Sequence, residues 1–349
     1  MVSSPKTNQK LPIICEVYQK VDEDGNSKFK AMSRKGIYAA ISYMFCAVLL
    51  IMFNKAALSS YKFPYVNVIT LLQLICSCIF LYIMRQWNII SFTKDVSLRT
   101  VDNPIILVPF NTLVQTLPLA LSYLLFMLVS MESVRGISVP MYTTLRRTTV
   151  AFTMVVEYLV SRQKHSLLVV GSVGIIILGA FVAGARDLSF DFYSYGVVLL
   201  SNLCTAIYLT SIARLGKSSG LNSFGLMWCN GIICGPILLL STFLQGDLQK
   251  LISFPHLSSP GFQINGILFQ AVMLLSCVMA FFLNYTVFWN TALNSALTQT
   301  ICGNLKDVFT IGLGWLLFGG LPFDLFNILG QGIGFLGSCF YAYCKLKGK

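Results

Sequence analysis

Acidic side chains are scarce in this chain. Asp and Glu number 13 against 25 Lys and Arg, and charged residues of both signs make up only 11% of 349 positions. Soluble domains carry about a quarter charged residues, so a water-soluble globule is excluded, and a hydrophobic content of 56% is that of a polytopic membrane protein. Histidine is nearly absent: His165 and His256 lie between apolar runs, which leaves no ligand set for a metal. The eleven cysteines form no CxxC pair and no disulfide spacing. Those in apolar runs, such as Cys46, Cys76, Cys78, Cys277 and Cys302, read as small buried hydrophobes. A GxxxxGK[ST] loop is missing, which argues against nucleotide hydrolysis, and nothing implies a cofactor. The first 35 residues are polar and mixed in charge, without the pattern of a cleaved leader, so the first apolar segment is expected to stay as a signal anchor.

Ten apolar stretches are near the ~20 residues that cross a bilayer as helix: 36–58, 66–84, 112–130, 139–160, 167–183, 195–212, 224–244, 267–288, 297–318 and 325–343. The net charge of +12 does not point to nucleic acid, because the basic residues fall in the connections between these stretches. With the N-terminus in the cytosol, 17 of them are cytosolic and four (Lys62, Arg135, Arg186 and Lys250) are on the opposite side. That asymmetry orients both termini toward the cytosol.

Four cations remain inside the spans: Lys55, Arg146, Arg147 and Lys306. Lys55 is close enough to a span end to snorkel, so an anchor and a site residue are both open readings. Arg146, Arg147 and Lys306 are central, where a cation costs about 2.5–3.5 kcal/mol even on a lenient scale and marks a functional site with a partner to be named. Glu157 and Asp307 are the acids within spans. Glu157 is expected at the cytosolic interface with Arg162 and Lys164. Asp307 points about 100° away from Lys306 on a helix, leaving Arg147 or Lys55 as its expected partners. At least one cation then lacks an internal anion, and an anionic substrate would supply it. Guanidinium suits phosphate, because its planar fork matches two oxygens and it does not lose its proton.

Helical spacing pairs Tyr142 with Arg146 and Thr143 with Arg147, and it places Gln299, Gly303 and Lys306 on one stripe. These groups form a cavity wall or hold helices together; both readings stand. Trp228 beside Asn230 could stack on a base, although packing explains it as well. An odd number of spans per half makes the second half inverted, an arrangement that puts a site at the bilayer midplane. The halves align weakly: Arg146 and Lys306 are 160 residues apart, as are Gly174 and Gly334. The chain divides accordingly into a cytosolic tail (1–35), two five-helix repeats (36–183 and 184–344) and a short tail (345–349). Within the last, Lys345 and Lys347 match a K-x-K-x-x retrieval signal read by coat protein, and a positive-inside anchor reads the same residues.

Several stretches resemble one family. FNKAALSSYKFP (53–64), with Asn54 and Lys55, is similar to the N-K-x-x-L-x-x-Y-x-F-P signature of UDP-sugar carriers. VRGISVPMYTTLRRTTVAF, GARDLSFDFYSYG, NSFGLMWCNG and NSALTQTICGNLKD are similar to plant UDP-N-acetylglucosamine carriers of solute carrier family 35, the nucleotide-sugar transporters. That resemblance implies an all-α drug/metabolite transporter fold of ten helices, alternating access, and exchange of a cytosolic UDP-sugar for lumenal UMP at a Golgi or endoplasmic reticulum membrane. GDP-mannose members carry F-Y-N-N in helix seven and G-A-L-N-K in helix nine. The matching stretches here, MWCN and GNLK, carry over Asn230, Gly303 and Lys306, shift the amide to Asn304, and favour uracil over guanine. Members for CMP-sialic acid have basic residues where Arg146 or Arg147 and Lys306 stand. Competing readings are another nucleotide sugar, a phosphate-ester antiporter, an amine exporter and a non-transporting receptor. The sugar and the oligomeric state, a homodimer included, stay open.

Overall fold

The computed structural model describes residues 31–55, 66–93, 107–133, 139–162, 164–184, 191–247, 249, 264–318 and 325–348. Within them the regular structure is helical, apart from one isolated antiparallel bridge between Thr93 and Leu221. The helices are α1 (Arg34–Lys55), α2 (Val66–Gln86), α3 (Phe110–Gln115), α4 (Leu117–Ser133), α5 (Val139–Arg146), α6 (Thr149–Ser161), α7 (Leu167–Gly184), α8 (Phe192–Ser218), α9 (Ser223–Leu244), α10 (Ile264–Leu293), α11 (Ala296–Phe318) and α12 (Leu325–Lys347). Seven helical stretches among the described residues are long and apolar enough to cross a membrane. Of the other expected spans, two fall on α11 and α12, each 23 residues long. The expected single helix over 139–160 is instead two, α5 and α6.

The break has a local cause. Around Arg147 and Thr148 the backbone tightens to i→i−3 hydrogen bonds, with Arg147 N–H donating to Thr144 and Thr148 N–H to Leu145. Two threonine hydroxyls compete for the same turn: Thr148 Oγ1 donates to the Leu145 carbonyl at 2.7 Å and Thr149 Oγ1 to that of Arg146 at 2.5 Å. Asn202 of α8, fully buried, ties this turn to α8 by donating Nδ2 to the Leu145 carbonyl at 2.9 Å and to Thr148 Oγ1 at 3.1 Å. Elsewhere caps set the ends. The Asp191 carboxylate accepts from the Ser194 N–H at 2.9 Å and starts α8 three residues before the expected Tyr195, and the Asn222 side chain accepts from the Gly225 N–H to start α9.

The bundle is assembled from a few recurrent pairings. α1 packs on α10 and α11, and α8 on α4 and α6; α2 packs on α9 and α10, and α9 on α4 as well. The helix pair in most extensive contact is α7 with α12, through glycine. A Cβ added at Gly179 would lie 2.6 Å from both the Gly330 carbonyl oxygen and the Gly334 nitrogen, so the two backbones touch, as in small-xxx-small packing. Because the obstructing atoms are backbone, they cannot rotate aside. Gly179→Val should therefore separate α7 from α12 and destabilise the protein by about 1–3 kcal/mol, the range for overpacking. An unchanged unfolding midpoint in detergent would refute that close approach. Outward faces carry exposed apolar side chains such as Phe181, Leu316 and Leu336, as a lipid-facing surface requires.

Candidate functional site: a cationic centre at the helix break

The break between α5 and α6 separates the two arginines that sequence spacing treats as neighbours. Arg146 turns toward α4: its Nη1 donates to Ser130 Oγ at 3.1 Å and to Tyr142 OH at 3.0 Å, and its guanidinium lies 5.9 Å from the Phe126 ring centre. Arg147, 3% exposed, turns the other way and reaches α12. There it donates Nη1 to the Gln331 carbonyl at 3.2 Å and Nη2 to the Gln331 side-chain oxygen. Gly334 leaves room for this, since a Cβ there would meet Arg147 Nη1 at 2.6 Å.

On α11 the expected cation has a different neighbour from the one anticipated. Lys306 Nζ lies 2.6 Å from Asp307 Oδ1, so Asp307 pairs with its own neighbour, and Arg147, one of its expected partners, turns instead to Gln331; the side chain of Lys55, the other, lies outside the described residues. A side chain four bonds long spans the ~100° between adjacent helical positions that Cβ direction alone would keep apart. Among the described residues, neither Arg146 nor Arg147 has a carboxylate within 4.0 Å. Hydroxyls and rings surround Arg146, while the carbonyl and side-chain amide of Gln331 hold Arg147, which is also within electrostatic reach of Asp307.

Tyr43 of α1, which the sequence reading passed over, joins the two sides. It is 8% exposed, its hydroxyl would be 3.5 Å from a Cβ at Gly303, and Asp307 and Arg146 are both within its electrostatic reach. Asn304, also 8% exposed, holds a buried Nδ2 with no hydrogen-bond partner among the described groups. The only early sign of Tyr43 was a hydroxyl within an apolar span. Two polar clusters stand here, Arg146 with Ser130 and Tyr142 on α4 and α5, and Lys306 with Asp307 and the unsatisfied Asn304 amide on α11, and Tyr43 of α1 is within electrostatic reach of Arg146 and Asp307.

The description "Triose-phosphate Transporter family" matches residues 33–342 of this chain. The chain belongs to that family. The UDP-N-acetylglucosamine transporter UGNT1 of Arabidopsis thaliana is 63% identical over 94% of this chain and 95% of its own length. The UDP-sugar transporter sqv-7 of Caenorhabditis elegans is 29% identical over 90% of each chain, and the GDP-mannose transporter GONST1 of Arabidopsis thaliana 24% identical over 92% of each. One solved crystal structure shares the fold, with a TM-score of 0.56 at 10% identity, over 87% of this chain and 95% of the other.

The remaining candidates in this triose-phosphate transporter family member sit in other clusters. Asn54 Oδ1 accepts from Gln73 Nε2 at 3.0 Å and from Ser276 Oγ at 2.6 Å, tying α1 to α2 and α10. Gln299 Oε1 accepts from Asn290 Nδ2 at 2.5 Å between α10 and α11. Asn230 Oδ1 accepts from Cys234 Sγ at 3.6 Å, one turn along α9. Trp228 is stacked on Phe92 at 5.4 Å and on Tyr82 at 6.4 Å, so packing explains it. The side chain of Lys55 lies outside the described residues.

Glu157 meets partners other than the expected Arg162 and Lys164. It is 2% exposed, and its Oε1 accepts from the Ala296 N–H at 3.2 Å, at the N-terminus of the helix that carries Lys306. A carboxylate suits the positive end of a helix dipole, and it docks α6 on α11. His165 Nε2 stands 3.9 Å from its other oxygen. Burial and the nearby Lys345 hold the imidazole below its ordinary pKa, so it is neutral at pH 7.

Proposed function

We propose that this protein is a nucleotide-sugar antiporter, carrying UDP-N-acetylglucosamine or a related UDP-sugar from the cytosol into the Golgi or endoplasmic reticulum lumen in exchange for UMP. The observation that carries the reading is the 63% identity, end to end, with a transporter named for UDP-N-acetylglucosamine. The polar clusters supply the physical support. Lys306 and the buried Asn304 amide lie on α11, Arg146 ends α5 at a helix break, and the break itself is the discontinuous-helix device by which transporters offer polar groups at the midplane. In this reading Arg146 and Lys306 take the diphosphate, with Tyr43, Gly303 and Asn304 beside it. Arg147 braces the broken helix against α12. The protein moves its substrate and transforms none, so it is not an enzyme.

An alternating-access carrier is supported by the symmetry of the helix pairings. Exchanging the first five spans for the second five maps α1–α10 onto α8–α4, α1–α11 onto α8–α6, and α2–α10 onto α9–α4, while α2–α9, α6–α11 and α7–α12 map onto themselves. With five spans per half the second repeat is inverted, and ten helices cross the membrane with both termini cytosolic. Lys345 and Lys347 are then on the cytosolic side, at the end of α12, accessible to coat protein. The Glu157 contact closes α6 on α11 at the cytosolic end, so opening that side requires releasing Ala296.

The decisive experiment uses purified protein in liposomes loaded with UMP, and then with GMP, challenged with each labelled nucleotide sugar. Uptake of UDP-N-acetylglucosamine that depends on internal UMP is expected. Exchange of GDP-sugars on GMP, or of small phosphate esters on phosphate, would replace this substrate assignment.

A further inference from the structure

We infer that the groove where α4, α6 and α8 converge is a binding site for one anionic phospholipid. A cavity of about 330 Å³ lies there, walled by Pro118 of α4, Val160 of α6 and Ile207 of α8, with Thr210 on its floor and Arg214 at one end. Pro118 is exposed, Val160 and Ile207 are 41% and 39% exposed, and neighbouring Leu121 and Leu159 face outward, so the mouth opens on the lipid-facing surface. The order of groups along α8 matches a lipid in its leaflet. Ile207 lies deeper in the helix, and the exposed guanidinium of Arg214 comes seven residues later, about 10 Å along the axis, near the polar end at Ser218. Exposed Arg162 follows Val160 by two residues and adds charge at the same end.

Thr210 gives a second, independent sign of a ligand. It is 1% exposed and its hydroxyl has no hydrogen-bond partner among the described groups, so the floor offers a hydroxyl below the cation. An acyl chain against Pro118, Val160 and Ile207 with its phosphate at Arg214 fits the apolar wall and the charge together. A soluble phosphate would leave the wall unused. By the charge asymmetry this end is cytosolic, the leaflet that holds the anionic lipids. The inference does not depend on what the protein transports.

The test is native mass spectrometry of the full chain in detergent, with dioleoyl phosphatidylserine and dioleoyl phosphatidylcholine added as competitors. One retained phosphatidylserine per chain is expected, preferred about fivefold, the weight of one cation near a charged headgroup. Arg214→Gln should erase the preference while lipid still binds, and Ile207→Trp should fill the groove and displace both lipids. Detergent unfolding midpoints without lipid check that both variants are folded. Equal retention of phosphatidylserine by the two variants, no retained lipid in the parent protein, or full competition by soluble glycerophosphoserine would each overturn the site.

Discussion

Replacing Lys306 by alanine should reduce the exchange of UDP-N-acetylglucosamine for UMP by about 100-fold or more, in protein that remains folded. Two unit charges about 3 Å apart attract by roughly 5 kcal/mol at an effective dielectric of 20. Allowing part of that for desolvation leaves about 3 kcal/mol, and each 1.4 kcal/mol is a factor of ten. Folding should survive, because among the described residues Lys306 makes its one side-chain bond to Asp307, and that carboxylate is 32% exposed and can be rehydrated. Initial rates in UMP-loaded liposomes, read beside size-exclusion profiles, provide the measurement. Exchange within a few fold of the parent protein would move Lys306 from the site to the scaffold.

Asp307→Asn should act in the opposite direction on binding. The Asp307 carboxylate lies 2.6 Å from Lys306, so an incoming phosphate competes with an internal anion for the same ammonium. Removing that anion leaves Lys306 without compensation, and UMP should bind about tenfold tighter, a ~1.4 kcal/mol change. Tighter binding retards release, so the maximal exchange rate should fall even as the half-saturating concentration falls. The internal counter-ion also bears on coupling. A carrier whose lysine can be neutralised by its own carboxylate crosses empty more easily than one whose cations stay bare, and the Asp307→Asn protein should show less UMP-independent uptake than the parent. Weaker UMP binding in this variant would show that Asp307 orients Lys306 for substrate instead of competing with it.

Membrane class, the position of most helices and the identity of the buried cations were legible in the chain, because each depends on local quantities. About 20 apolar residues in a row must satisfy their backbone hydrogen bonds within themselves, so they become helix wherever they lie in the fold. Charge scarcity makes each exception conspicuous, and Arg147, one of those exceptions, is 3% exposed within the bundle. The motif resemblance and the relative at 63% identity agree on the family for the same reason: both read the linear order of residues.

What depended on a second helix was not legible. The turn at Arg147 and Thr148 is held against α8 by Asn202, which donates to the Leu145 carbonyl, 57 residues away, and to Thr148 Oγ1. The break then sends Arg146 to Ser130 and Tyr142 and Arg147 to Gln331, so two adjacent residues of one type have different roles. Counting residues gave Glu157 the partners Arg162 and Lys164, but the N-terminus of α11 binds it instead. Tyr43 had no mark in the chain beyond its hydroxyl, and its importance comes from facing Gly303. Composition and periodicity settle which segments leave water and which charges go with them. Only the packed bundle settles what each charge meets there, because partners at midplane come from helices remote in sequence whose faces are chosen by mutual fit.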